Sequence, residues 1–459
     1  MTAPAPSLRA QLAHKKRVLT AAFVGTGIEW YDFYLYGAVA GLVFNRQFFP
    51  DESTLAGTIA SYAVFAFGFL ARPLGGAIAG HLGDQLGRKG MLAASLVTMG
   101  LASTLIGLLP TYESIGMTAV VLLVLLRLVQ GLSSGAEWGG SAVLTVEHAP
   151  ASARGLFGSF TQVGSAVGML MATGTIALIQ ALLSPEQFLA WGWRIPFLAS
   201  LGLVAFGLYI RLGVADSDEF RNLQKDGRVQ RAPIKQVIRH HRRALLVTIG
   251  LRLAQPGLFA ILAVYTINYL AERRGDTTTA VTAVAMVSAV GLLSGVVWGR
   301  LSDKWGRRRI SIVATTGIAV FIWPYFWFLD AGSLVFLPLV MAFGMNILHD
   351  AVYGPQAAWF AEQFPVEVRY TGVSLGYQVG TVISGGLTPV IAVSLLALGG
   401  QRPWLICGYI TVLCALSLWA SIAARDPVVD GKSDDAAGSA GGETGLPVGE
   451  ITAREQVAI

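Results

Sequence analysis

The chain has 459 residues, 54% of them hydrophobic and only 13% charged, with 54 glycines. Soluble domains run at about a quarter charged, so the composition excludes a soluble enzyme with a large core and indicates a polytopic membrane protein. The net charge of +6 does not indicate nucleic acid, because the cations sit in loops between apolar runs and read as membrane topology.

Residues 1–17 are basic (Arg9, Lys15, Lys16, Arg17) and precede a long apolar run that contains Glu29 and Asp32. That run has no small-residue cleavage site after a short core, so a retained first helix is expected rather than a cleaved signal. A span needs about 20 mostly apolar residues, and twelve candidates follow. In a first half over 18–212 they begin near Val18, Leu55, Met91, Gly116, Gly155 and Trp193. In a second half over 244–424 they begin near Ala244, Thr278, Ile310, Ser333, Gly372 and Pro403. Between the halves, 213–243 is the longest internal polar stretch and is expected to be a cytoplasmic linker with some surface helix. Residues 425–459 are rich in Gly, Ala, Ser and acids without apolar periodicity, so a disordered cytoplasmic tail is expected. Cys407 and Cys414 both fall in the last apolar run, as packing residues.

One set of connections holds Arg88 and Lys89, the basic 211–243 segment, and Arg307, Arg308 and Arg309. The opposite set holds Asp51, Glu52, Glu113 and Glu186, with a balanced group of Glu272, Arg273, Arg274 and Asp276. The positive-inside rule places the first set, and with it both termini, in the cytoplasm.

The chain also repeats itself. Gly80, Asp84, Gly87 and Arg88 recur with the same spacing as Gly299, Asp303, Gly306 and Arg307. Glu147, Pro150 and Arg154 recur as Glu362, Pro365 and Arg369, each followed by a Gly-rich helix carrying Gln-Val-Gly (Gln162, Gln378). The two halves are therefore of like design. Asp84, Arg88, Asp303 and Arg307 are expected to gate one face by charge pairing with nearby helix ends.

Ionisable residues inside spans are functional candidates by default, and here they concentrate in spans 1, 4, 7 and 10. Glu29, Asp32 and Tyr36 share one face of span 1, and two carboxylates about a turn apart make a proton carrier. Arg127, Gln130, Ser134, Glu137 and Ser141 form a single polar stripe on span 4. A buried Arg127 requires an anion: Glu137, Asp32 or a bound substrate. Span 7 carries Arg252 and Gln255 ahead of Pro256, which frees a backbone carbonyl and bends the helix. Asn268 follows further along the same span. Span 10 carries Asn346, His349, Asp350 and Tyr353; His349 and Asp350 point about 100° apart, so only one of them faces the centre squarely. Arg72 and Arg194 read as structural, Arg72 as a partner for a carboxylate of span 1 or for the surroundings of span 11. The sequence has neither a phosphate-binding Gly-x4-Gly-Lys-Ser/Thr loop nor a Cys/His cluster, so neither an ATP-driven pump nor a metal site is supported.

The paired loops around Asp84 and Asp303 resemble the signature of the major facilitator superfamily. Glu29-Trp30-Tyr31-Asp32-Phe33, Ala71 to Gly76, Gly135 to Gly140, Glu147 to Pro150, Trp191 to Pro196, Gly354 to Ala357 and Val368 to Gly372 narrow the resemblance to its metabolite:proton symporters. Leu42 to Pro50, Gln187 to Trp193, Leu251 to Leu253 and Asn346 to Asp350 look most like shikimate permeases. One departure is Gln255-Pro256, where the shikimate permease pattern has an acidic residue followed by apolar ones. The resemblance implies an all-α fold of twelve transmembrane helices in two six-helix halves, with helices 1, 4, 7 and 10 lining a central cavity. It also implies a monomer in a bacterial inner membrane that works by alternating access with the proton as coupling ion, no other cofactor, and lipid, protons and a small molecule as its partners. The expected cargo is a hydroxylated monocarboxylate such as shikimate, taken up with protons. Arg127, Arg252, Gln130, Gln255, Asn346 and Tyr36 are the expected substrate contacts. Asp32, Glu29, Glu137, His349 and Asp350 are the expected proton-coupling groups. Uptake of proline, betaine, dicarboxylates or oxoglutarate, and export by proton antiport, are the alternatives.

Overall fold

The computed structural model describes residues 8–50, 54–214, 217–230, 232–276 and 278–429. Its long helices form two sets of six. The first set is α1 (Leu8–Val39), α2 (Thr54–Leu86), α3 (Arg88–Leu108), α4 (Met117–Glu147), α5 (Arg154–Leu182) and α6 (Arg194–Leu212). The second set begins with α7 (Arg242–Phe259, running on as helix to Arg274), α8 (Thr278–Trp305) and α9 (Arg307–Ala331). It closes with α10 (Leu334–Glu362), α11 (Val366–Leu398) and α12 (Trp404–Val429). Ten of these are long and apolar enough to cross a bilayer; α1 and α2, at 32 and 33 residues, are at least as long. The chain is a multi-pass membrane protein with the fold its apolar periodicity predicted, because in hydrocarbon every backbone polar group must be satisfied inside its own helix.

The helix starts follow the expected order, with two corrections at the ends. α1 begins at Leu8, inside the stretch assigned to the N-terminal segment 1–17. At the other end, the expected tail does not begin at 425. The carbonyl of Arg425 accepts from Trp359 (2.7 Å) and Gln363 (2.9 Å), and buried Asp426 accepts from the Arg308 amide at 2.8 Å, capping α9. The rest of that tail, 430–459, lies outside the described residues. The linker holds the surface helices expected of it, Asp218–Lys225 and Pro233–His240.

Within the first half, α1 packs on α5, α2 on α4 and α3 on α6. The tight α2–α4 seam needs glycines: a Cβ on Gly131 would meet the Gly68 carbonyl, and one on Gly75 would meet the backbone of Leu132. In the second half α7 packs on both α11 and α12. The halves meet through two symmetric seams, α2 against α11 and α5 against α8. At the end carrying the basic loops, one apolar core spans both halves, with Trp138 and Val143 beside Phe360 and Tyr377.

Several helices depart locally from α geometry. Wide π turns occupy Ala260–Tyr265 after Pro256, Phe343–His349 before Asp350, and Val382–Gly386 in α11. Such turns are frequent at functional sites because they re-aim side chains. Three of them surround the centre of the second half.

Candidate functional site

The site has three layers, and the first is the closed end. The repeated loops turn at Gly87 and Gly306, whose φ values of 114° and 88° suit glycine. Each turn aims an aspartate across the interface between halves. Asp84 accepts from the amides of Tyr370 (3.2 Å) and Thr371 (2.9 Å), near the start of α11. Asp303 accepts from the amides of Gly155 (2.7 Å) and Leu156 (2.9 Å), at the start of α5. A carboxylate at a helix N-terminus meets unsatisfied amides and the positive end of the dipole. Glu147 then pairs with Arg88 of its own half (2.9 Å) and Arg369 of the other (3.0 Å), while Glu362 pairs with Arg307 at 3.0 Å. The four expected gating residues are thus brought together with Glu147, Glu362 and Arg369. The repeat had marked those three residues, although no role had been assigned to them.

The second layer is the polar cluster of the first half. Asp32 is only 2% exposed. Its carboxylate accepts from Ser103 (2.5 Å, α3) and Ser200 (2.9 Å, α6). Gln130 donates to Ser103 at 2.5 Å, and Arg127 donates to Gln130 at 3.1 Å, so a chain of donors runs from the guanidinium to the carboxylate. The Tyr36 ring lies 4.1 Å from the Arg127 guanidinium. Glu29 accepts from Ser134 at 2.6 Å and pairs with Arg72 at 3.5 Å, so of the two partners expected for Arg72 it is the span 1 carboxylate that is found. Glu29, Asp32, Arg72, Arg127, Gln130 and Ser134 line a cavity of about 10 Å³, the size of one water.

Glu137 has a partner that the sequence did not indicate. It had been offered as a counter-ion for Arg127 or as a proton carrier. It is fully buried and gripped instead by both terminal nitrogens of Arg211, at 2.6 and 2.5 Å, with Ser95 and Ser141 alongside. Arg211 comes from α6, at the edge of the basic linker. Sequence reasoning counted it as a topology signal because nothing local indicates that it turns inward.

The third layer belongs to the second half. Arg252 is 2% exposed, so it does not snorkel to an interface. Its Nε donates to Thr381 at 3.0 Å and its Nη1 donates to Gln356 (2.7 Å) and to Gln255. The guanidinium lies 3.9 Å from the Tyr377 ring centre and 5.5 Å from that of Tyr353. Among the described residues no carboxylate lies within ion-pairing distance of it. Gln255 also bonds His349, and His349 bonds Asp350 at 2.7 Å. His349 faces α7, whereas Asp350 faces α8, where it accepts from Ser294. Asn346, an expected substrate contact, is likewise turned toward α8: its amide donates to Val287 (3.0 Å), Ser294 (3.3 Å) and Asp350 (3.3 Å). The side chain of Asn268 lies outside the described residues.

The halves meet between these clusters and the gate. Trp138 stacks on Tyr377 with ring centres 3.4 Å apart, and Gln162 accepts from Trp138 (2.8 Å) and donates to the Tyr353 carbonyl (2.9 Å). A stacked pair from opposite halves forms a floor that must part if this end opens. Gln356, Thr381, Tyr377, Ser103 and Ser200 were missed by sequence reasoning, because hydroxyls and amides are common in spans and mark no site until their partners are known.

Comparison with known proteins is consistent with this geometry. A profile of the Major Facilitator Superfamily matches residues 22–376. The shikimate transporter of Escherichia coli is 39% identical over 418 residues, covering 90% of this chain and 95% of that one. A proline/betaine transporter of Salmonella typhimurium is 32% identical over 423 residues, covering 90% and 83%. Among solved structures, the proton:xylose symporter XylE superposes with a TM-score of 0.72 at 16% identity, covering 90% of this chain and 95% of XylE.

Proposed function

The chain belongs to the major facilitator superfamily and is a membrane transporter, and from that premise we propose that it imports a small hydroxylated monocarboxylate, shikimate or a close relative, together with protons. The observation that carries this reading is Arg252. A buried guanidinium surrounded only by neutral acceptors and aromatic faces is costly until an anion arrives, so the site selects a carboxylate. Gln255, Gln356 and Thr381 then lie beside that carboxylate, placed to bond hydroxyls. Arg127 and Gln130 are the corresponding pair of the first half, beside Tyr36 and the small cavity at Asp32.

Asp32 is the proton-binding group of the first half. Ionised, it ends the donor chain from Arg127 through Gln130 and Ser103. Protonated, it becomes a donor itself and a weaker acceptor, and the chain loses the charge at its end. That loss loosens Arg127 for substrate. The basic-loop end is cytoplasmic, together with both termini, and the structure is closed there. Alternating access then exchanges the gate of Asp84, Asp303, Glu147 and Glu362 for a seal at the opposite end.

Labelled shikimate uptake into proteoliposomes, with and without an imposed inward proton gradient, tests this reading. Gradient-driven accumulation that neither betaine nor a dicarboxylate blocks is the expected result. Strong block by betaine, or no accumulation, overturns the substrate assignment. A zwitterionic cargo also needs a free anion for its ammonium. Glu137 is bound by Arg211, and Asp350 is bound by His349, Ser294 and Asn346.

A further inference from the structure

The second-half cluster is a continuous line of hydrogen bonds: Arg252, Gln255, His349, Asp350. The direction of each bond follows from chemistry. A guanidinium only donates, so the Gln255 carbonyl oxygen must face Arg252. The Gln255 amide nitrogen therefore faces His349 and donates to its Nε2. An Nε2 that accepts carries no proton. The neutral ring then holds its proton on Nδ1 and donates it to Asp350, whose other oxygen accepts from Ser294 and Asn346. The line thus specifies a single tautomer at His349.

We infer that Gln255 is a two-position switch: a proton on His349 Nε2 turns the Gln255 amide over and releases Arg252 to bind the substrate carboxylate. With a proton on Nε2 the ring donates there, and only the Gln255 oxygen can accept. Turning the amide takes that oxygen from Arg252 and presents its NH₂ instead, a donor against a donor. Arg252 keeps Gln356 and Thr381, loses one acceptor and gains a vacancy that suits a carboxylate oxygen. The proton comes from the side open to water. It stays on an imidazolium paired with Asp350 and leaves when the carboxylate departs and the amide turns back.

Charge balance points the same way. As it stands the cluster holds one cation, Arg252, and one anion, Asp350. A bound carboxylate alone would leave a net negative charge in a low-dielectric centre, and a proton on His349 restores neutrality. The other titratable groups facing the cluster are Tyr353 of α10 and Tyr377 of α11, both beside Arg252. Arg72 of α2 and Tyr34 of α1 lie within electrostatic reach from the first half. Phe259 packs on the His349 ring, and α8 contributes Ser294. No further carboxylate is within ion-pairing distance of His349 among the described residues. The switch rests on the carboxylate reading above, and it concerns the position where the resemblance to shikimate permeases fails.

Two measurements on the full-length protein in detergent test it. The first needs no substrate: nitrogen-15 NMR of labelled histidines, with the His349 signal identified by its loss in His349→Gln. The expected result is the Nδ1–H tautomer at alkaline pH, with the Nε2 signal shifted in Gln255→Leu as its hydrogen bond is lost while Asp350 keeps the proton on Nδ1. The second is equilibrium binding of labelled shikimate across pH. One linked proton changes Kd by about tenfold per pH unit above the group's titration. Gln255→Leu and His349→Gln should each lower the slope of log Kd against pH by one. An Nε2–H tautomer in the wild type, or a full wild-type slope in either variant, overturns the switch. If the wild type binds no shikimate at any pH, the substrate reading fails, and the tautomer measurement decides the switch by itself.

Discussion

The two halves share a gate but differ in how they hold their buried arginines. In the first half Arg72 pairs with Glu29 and Arg211 with Glu137, so these cations are neutralised within the protein. In the second half Arg252 has Gln255, Gln356 and Thr381, and the nearby acid, Asp350, is taken by His349 and Ser294. The first half joins two of its arginines directly to acids; in the second half the acid and Arg252 are held apart, joined only through Gln255 and His349. A repeated sequence can thus preserve the moving parts while its two centres diverge.

The sharpest way to break this comparison is to remove the arginines in turn. Arg252→Ala should abolish substrate binding, by 100-fold or more in Kd on the order of a lost charge-assisted pair, while leaving the thermal midpoint close to wild type. Retained binding would show that the second half does not hold the carboxylate. Arg211→Ala should do the reverse. It leaves Glu137 buried and uncompensated, a loss of about 3–5 kcal/mol, visible as a large drop in thermal midpoint that Glu137→Gln partly rescues in the double variant.

A smaller effect tests the proton site of the first half. Asp32→Asn should keep downhill exchange and measurable substrate binding but lose gradient-driven accumulation. Wild-type accumulation in that variant would remove Asp32 from the coupling path. The gate should respond symmetrically and more weakly. Asp84→Asn and Asp303→Asn each forfeit charge on two helix-terminal amide bonds, worth about 1.5–3 kcal/mol, and should populate a state open at the basic-loop end. Distances between spin labels placed across that end would read the shift, and a response from only one of the pair would break the symmetry. The smallest effect is expected at Arg273→Ala, which removes a half-exposed contact with Asp330 at 3.9 Å, worth below about 1 kcal/mol and measurable only as a slight change in thermal midpoint.

Much of this was legible before any coordinates. Glycine spacing and the doubled Asp84 and Asp303 loops predicted two like halves, and a span 1 carboxylate was one of the two partners expected for Arg72. Arg252 and Gln255 were both placed on span 7, though not as a pair. What the sequence did not reveal was partners, for one cause. Glu137 lies ten residues from Arg127 on one stripe, which suggested a shared cavity; the partner that claims it, Arg211, is on another helix. Asn346 sits one turn from Asp350, and the π turn between Phe343 and His349 accompanies its orientation toward α8.

The sequence by itself determined the number of spans, the doubled architecture and the placement of charge on four helices. Those follow from local rules: a span needs a minimum apolar length, a tight turn needs glycine, and a buried charge is too costly to be accidental. Only the tertiary structure decided which cation each acid neutralises, and therefore which cation is left for an anion. Pairing depends on how helices distant in sequence face one another, and a hydrogen bond or ion pair forms within a few ångströms regardless of how many residues separate its ends.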